Sequence, residues 1–196
     1  HQTSGAVFVD GKECVVRSPS DAMRYGIGLV PEDRKQEGLV LQMSVEQNIS
    51  LSCLTQLERG LFLSAPAERA HAGEYVDRFA IRTPSVQQTV RNLSGGNQQK
   101  VVLAKVLSSQ PRVLLLDEPT RGIDVAAKRE IYRLIDELKR RNLAIVVVSS
   151  ELPELLGIAD RIMVMCEGRK TALFGRSEAT EQSVMRAAVP GVLEHA

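Results

Sequence analysis

Two short stretches of this chain carry residues suited to a charged ligand. The first is Leu93-Ser94-Gly95-Gly96-Asn97-Gln98-Gln99-Lys100. A glycine pair that opens a helix presents backbone N–H groups and the positive end of the helix dipole. With no Cβ in the way, a phosphate can approach that backbone. The Ser94 hydroxyl is placed to cap the same helix. The second stretch is Val113-Leu114-Leu115-Leu116-Asp117-Glu118. Its apolar run reads as a buried strand, and its two acids fall at the carboxyl end, where α/β proteins hold ligands. One stretch can hold an anion, and the other can hold a metal or activate water. Taken singly, each has a plain structural reading, as an ordinary helix cap and an ordinary acidic loop. Their succession, with a helix leading from one to the other, is what points to chemistry.

The elements that must position these residues are legible from local pattern. Ala6 to Val9 and Glu13 to Val16 flank Asp10-Gly11, a two-residue hairpin signal. Ser20 to Tyr25 reads as a short helix and Ile27 to Val30 as a buried strand that Pro31 ends. Gly26-Ile27-Gly28 has no lysine at phosphate-loop spacing and runs into that strand, so it is no phosphate loop. Ser44-Val45-Glu46-Gln47 fits a capping box, with Val45, Ile49 and Leu51 as its apolar face. Pro66 opens a helix through Phe79 with Ala72, Val76 and Phe79 at helical spacing, and His71 on it reads as a surface residue. Pro84 and the polar run Ser85 to Thr89 break that pattern. Further on, Ile131, Leu134, Ile135 and Leu138 mark a core-facing helix, and Ala144 to Val148 reads as a continuous buried strand. Ile162 to Met165 and Lys170 to Phe174 predict a second hairpin about Glu167-Gly168. Ser177 to Ala188 predicts a terminal helix before a loose tail, 191–196.

Leu93 to Gln99 resembles the signature motif of ABC-type ATPases, Val113 to Glu118 their Walker B strand with its catalytic glutamate, and Gly122-Ile123-Asp124 their D-loop. Pro31-Glu32-Asp33-Arg34-Lys35 and Ser149-Ser150-Glu151-Leu152-Pro153-Glu154 are similar to the second ATPase half of bacterial sugar importers of the ribose/galactose type. The likeness runs from about Thr3 to Val189. It implies an α/β fold, a partial P-loop NTPase-like ABC ATPase domain with a mostly parallel core sheet, an inserted helical subdomain and peripheral β-hairpins. The implied division is partial core at 1–43, helical subdomain at 44–110, core again at 111–190 and the tail 191–196.

The implied cofactors are ATP and Mg²⁺. By the same resemblance Asp117 holds Mg²⁺ through water and Glu118 polarises the attacking water. Ser94, Gly95, Gly96 and Gln98 reach the γ-phosphate of ATP held on the opposite ATPase half, and Asp124 lies at the interface between halves. Glu32 takes the Q-loop position, where the family usually has glutamine, and Ser150 takes the position of the switch histidine. Both departures are expected to weaken the site that contains Glu118. A G-x-x-x-x-G-K-[ST] phosphate loop does not occur in these residues. The chain is therefore expected to be a fragment that begins after the P-loop helix, inactive by itself. The implied partners are an N-terminal ATPase half of the same protein, transmembrane permease subunits and, indirectly, a periplasmic sugar-binding protein. That places it at the cytoplasmic face of the bacterial inner membrane, coupling ATP hydrolysis to sugar import.

Composition narrows the alternatives. The 196 residues are 43% hydrophobic and 25% charged, enough for one substantial domain. The formal net charge is +1, which supplies no electrostatic case for nucleic acid. Lys128, Arg129, Arg133 and Lys139 are balanced by Glu130, Asp136 and Glu137, as on a solvated helix face. A soluble ABC-type ATPase acting on ribosomes or DNA, the rival reading, would demand a basic surface or coiled-coil arms, and neither pattern is present. Cys14, Cys53 and Cys166 lie far apart without metal-ligand spacing, as reduced thiols do. No apolar run approaches the ~20 residues of a membrane span.

Overall fold

The computed structural model describes residues 5–59 and 62–190. They form two units, the first ending at Val148 and the second starting at Ser149.

The first unit opens on β1 (Val7–Val9) and β2 (Lys12–Cys14), paired antiparallel about Asp10-Gly11. Both turn residues have positive φ, 51° and 74°, as a tight hairpin turn requires. Helix α1 (Pro19–Arg24) is capped by the Ser18 hydroxyl, which accepts from Asp21 N–H, and β3 (Ile27–Val30) follows. After a π-helical turn at Arg34–Gly38, α2 (Val45–Ser50) starts on the expected capping box, Ser44 and Gln47 each bonding the other's backbone. Val45 and Ile49 are fully buried and Leu51 is half-buried. A short helix α3 (Leu54–Leu57) and a small hairpin, β4 (Glu58–Arg59) with β5 (Phe62–Leu63), had no signal in the sequence pattern.

Helix α4 (Ala65–Arg78) buries Ala72 and Tyr75, and Phe79 beyond it is buried as well, while Val76 is only half-buried. Ala72 and Phe79 thus lie on the expected stripe, and Tyr75 takes the buried place expected for Val76, its hydroxyl donating to the Leu107 carbonyl at 3.1 Å. His71 is not a surface residue: it is half-buried, its ring centroid lies 5.0 Å from that of Tyr75, and its Nε2 is 3.3 Å from Cys53 Sγ. Burial pushes the Cys53 thiol above its ordinary pKa, so this is a contact of a neutral thiol.

Helix α5 (Gly95–Ser108) crosses β3 so closely that a Cβ on Gly28 would lie 2.6 Å from Val106 Cγ1. Close backbone approach, not a phosphate, therefore explains Gly28. Strand β6 (Val113–Asp117), helix α6 (Val125–Arg140) and strand β7 (Ala144–Val148) complete the unit. The three longer strands form a parallel sheet in the order β3-β6-β7. Val30, Leu114 and Leu116 of the sheet, Val101 and Leu103 of α5, and Ile131 and Ile135 of α6 are each at most 1% exposed. Leu134 and Leu138 are buried too, as the helical stripe predicts. Strand β7 is not buried throughout. Leu29, Val146 and Val148 fall on one face of the sheet and are more than half exposed, so among the described residues nothing covers that face at these positions.

In the second unit, α7 (Leu152–Ile158) precedes the expected hairpin of β8 (Arg161–Cys166) and β9 (Arg169–Gly175) and the last helix, α8 (Glu181–Ala188). Its core joins Ile162 and Val164 to Val184 and Ala187, with Leu152 and Leu155 packed against them. Helix α8 starts later than the sequence pattern suggests, because Thr180 and Ser183 close a capping box that fixes the first turn. The expected loose tail, 191–196, lies outside the described residues. Among the described residues no helix is long and apolar enough to cross a membrane.

One buried cation ties the helical segments together. Lys100 is 3% exposed, and its Nζ donates to Glu130 Oε2 at 2.6 Å and to the Ala80 carbonyl at 2.9 Å. The hydrogen bond from Lys100 holds the Glu130 carboxyl below its ordinary pKa. Replacing Glu130 by Gln leaves that cation without its anion. Because the Glu130 carboxylate is one-third exposed, the expected loss is about 2 kcal/mol, less than for a fully buried pair. The contribution is complete above the ordinary glutamate pKa and fades as pH falls through the lower folded-state value. Urea titrations of wild type and Glu130→Gln should thus differ at about pH 7 and converge as pH falls below the lowered folded-state value.

Candidate functional site

The two acids sit where the parallel sheet ends. Asp117 is the last residue of β6 and pairs in register with Val148, the last of β7. Glu118 N–H donates to the Val148 carbonyl at 2.9 Å, one rung beyond the strand. There the backbone turns sharply, with Glu118 at φ +44° and its carbonyl accepting from Arg121 N–H at 3.1 Å. A left-handed conformation costs a non-glycine residue free energy, and such strain is tolerated where side-chain placement matters. Both acids are half-buried, and Pro119 and Thr120 behind them are buried.

The opening of α5 differs from expectation in two side chains. Ser94 occupies the N-cap, but no side chain caps this helix; the Ser94 hydroxyl instead accepts from Asn97 Nδ2 at 2.9 Å. Asn97 Oδ1 in turn accepts from Arg82 N–H at 2.8 Å, so the asparagine is spent on holding the loop. Gln98 is 5% exposed and its Nε2 donates to the Val90 carbonyl at 3.2 Å. Its side chain therefore faces inward in this structure and offers no donor at the helix opening, a correction to its expected role. The reason is position: the fourth residue of α5 falls on the helix's buried side.

The two glycines are fixed by their neighbours. A Cβ on Gly96 would stand 2.5 Å from the Ala127 Cβ, and one on Gly95 would stand 2.9 Å from Arg34 Nη2. Asp124 caps α6, its Oδ1 accepting from Ala127 N–H at 2.9 Å. The first turn of α6 thus lies directly against the first turn of α5.

Glu32, just past β3, forms an ion pair with Arg121. Arg34 Nη1 donates to the Arg121 carbonyl at 2.8 Å and Nη2 to the Gly122 carbonyl at 3.1 Å. The structure therefore brings Glu32, Gly95, Gly96, Asp117, Glu118 and Asp124 into the first unit's sheet end and adjoining helix openings. Ser150 belongs to the second unit, where it is exposed; its neighbour Ser149 donates to Glu154 Oε2 at 2.8 Å and accepts from Glu151 N–H at 3.0 Å. Sequence reasoning assigned no role to Arg34 or Arg121. Contacts between residues this far apart in sequence leave no periodic trace; the only signal was an arginine inside a quoted motif.

Asp117 and Glu118 supply hard oxygen donors, and among the described residues no cluster of three or more His, Cys, Asp or Glu surrounds them. A pair of carboxylates with positions left for water and phosphate oxygens suits Mg²⁺, which keeps several waters, better than a metal that needs a full protein cage.

A parallel sheet ending in two acids, with a glycine-opened helix beside the loop that follows them, is the arrangement of an ATP-binding cassette. The structure matches a nucleotide-free ATP-binding cassette from an ABC transporter with a TM-score of 0.76, at 19% identity over 98% of this chain and 76% of that one. It also matches cbiO1 of Clostridium perfringens, part of the ABC transporter complex cbiONQ, with a TM-score of 0.72, at 26% identity over 89% of this chain and 67% of that one. The chain belongs to the ABC transporter family, whose profile matches residues 1–121. It is 54% identical over 188 residues, 96% of its length, to the ribose import ATP-binding protein RbsA of Rhodopirellula baltica. It is 52% identical over 190 residues, 97% of its length, to the xylose import ATP-binding protein XylG of Moorella thermoacetica. The chain spans 37% and 38% of the length of these two curated relatives.

The Gly96–Ala127 contact is directly testable. Gly96→Ala gains helix propensity but overpacks the junction, for a net loss of about 1 kcal/mol. Ala127→Gly should relieve that clash, so a double-mutant cycle by urea denaturation is expected to show favourable coupling of about 1 kcal/mol. Additive effects would exclude the contact.

Proposed function

We propose that this chain is the C-terminal ATP-binding half of a sugar importer, coupling ATP binding and hydrolysis to movement of a transmembrane permease. The observation that carries this reading is the match, at 51% to 54% identity over nearly the whole chain, to relatives named for ribose, xylose and arabinose import. Three different sugars at nearly equal identity support the coupling function and leave the choice of sugar to other components. In this reading residues 44–110 form a helical subdomain set into a core of 1–43 and 111–190. The partners are an N-terminal ATPase half, the permease subunits and, through them, a periplasmic sugar-binding protein, at the cytoplasmic face of the inner membrane.

The roles follow from charge and placement. Asp117 would hold Mg²⁺, and Glu118 would orient and polarise the attacking water. When bound, Mg²⁺ neutralises charge on the transferring phosphate. The backbone at Ser94, Gly95 and Gly96 would present N–H groups and the helix dipole to the γ-phosphate of a nucleotide held by the other half. Asp124, already the cap of α6, would lie between the halves. The chain contains no glycine-rich lysine loop, and we place the residues that cradle the nucleotide's phosphates outside these residues. Expressed alone, it should turn over no ATP.

Glu32 and Ser150 stand where the family usually has glutamine and histidine, so the site containing Glu118 is the weaker of the two. In the longer protein assembled with its permease in vesicles, Gly95→Asp should lower ATP turnover more than about tenfold and Glu118→Gln less than about threefold. Equal losses would overturn the asymmetry. Co-purification with nucleic acid in place of a permease would overturn the import function.

A further inference from the structure

The loop after β3 grips the loop after β6 through one side chain, Arg34. Arg34 gives its two terminal nitrogens to two successive carbonyls, Arg121 at 2.8 Å and Gly122 at 3.1 Å. A planar fork on two acceptors fixes orientation as well as distance. The same Nη2 stands 2.9 Å from the place a Gly95 Cβ would occupy, and that place is 3.4 Å from the Gly122 carbonyl oxygen. Arg34, Gly95 and Gly122 therefore meet at one point, and a side chain at position 95 would have to displace the Arg34 guanidinium. Arg34 Nε, behind this fork, is buried and has no partner among the protein groups.

We propose that Arg34 is a positioning residue: its guanidinium locks the loop that follows Asp117 and Glu118 to the opening of α5, so that the acids of one nucleotide site and the signature loop of the other move as one piece. This rests on the ATPase function proposed above. Each terminal nitrogen gives one N–H to a backbone carbonyl of the facing loop, and it is through these two bonds that Arg34 orients the loops. Its loss is therefore felt in the alignment that hydrolysis needs more than in nucleotide affinity. Lysine at this position keeps the charge but presents a point donor in place of a fork, so it does not substitute.

The test uses the longer protein with its permease, in wild-type, Arg34→Ala and Arg34→Lys forms. Steady-state hydrolysis is read as separate kcat and KM for ATP, and hydrogen exchange is followed in the peptide over 121–124. Both variants are expected to lose about tenfold in kcat with KM unchanged within about twofold, and to exchange faster at 121–124. Unchanged kcat, a rise in KM alone, or full activity in Arg34→Lys overturns the proposal. If Arg34→Ala does not fold, Arg34→Lys decides. If the wild type hydrolyses no ATP, the proposed function fails and exchange decides the clamp by itself: unchanged rates at 121–124 in Arg34→Lys overturn it.

Discussion

Helices α5 and α6 meet where Gly96 faces Ala127 with no space for a Cβ, and the geometry of the candidate site follows from that contact. Burial of Val101, Leu103, Ile131 and Ile135 supplies the attraction, about 1.5–3 kcal/mol for each large side chain, but hydrophobic burial is not directional. The glycine sets how closely the helix openings approach. Ala127 N–H is also the group that Asp124 caps, so the start of α6 is fixed at the point of contact. From Asp124 the chain runs back through Gly122, whose carbonyl is held by Arg34 beside Gly95. The loop after the acids is thereby closed against the helix that opens the signature motif.

Local signals in the sequence were reliable where the physics is local. The Asp10-Gly11 turn, the Ser44–Gln47 capping box and the acid-ended strand each depend on residues within a few positions of one another. The departures involve side-chain partners that apolar periodicity and cap signals do not register, some of them 15 or 18 residues away. Gln98 turns inward to the Val90 carbonyl, His71 is drawn under by Cys53 and Tyr75, and the Ser94 hydroxyl accepts from the Asn97 amide, whose oxygen accepts from Arg82 N–H. Continuous apolar runs are equally ambiguous. Val113 to Leu116 is the middle strand, whereas Ala144 to Val148, just as apolar, is an edge strand with one face exposed. Hydrophobicity marks a strand without giving its place in the sheet.

The family pattern located the acids and the glycines but treated them as separate devices. In the structure they are joined through Arg34, a side chain that the motif contained and to which the sequence assigned no role. Arg34 lies in a π-helical turn whose start is fixed by the Asp33 carboxylate accepting from the N–H groups of Lys35 and Gln36. The charged cluster thus divides its labour, Asp33 shaping the turn and Arg34 reaching across to Arg121 and Gly122.

The ion pair between Glu32 and Arg121 bears on why an acid is tolerated there. Register places Val30 beside Leu116, so the residues that follow, Glu32 among them, leave the sheet at the same end as Asp117 and Glu118. Three carboxylates at one sheet end would repel an anionic ligand and one another. Arg121 supplies a cation from the same chain, and the pair is exposed, at 65% and 44% of the two side chains. At that exposure the pair contributes under about 1 kcal/mol to stability. Its consequence is electrostatic: the acid at position 32 arrives already matched, and the negative field at the sheet end is left to the two acids of β6 and its following turn. Arg121 therefore holds the loop by its carbonyl and balances the neighbouring loop by its side chain. A change at Arg121 would disturb charge while leaving in place the carbonyl that Arg34 grips, which separates the electrostatic part of this junction from its mechanical part.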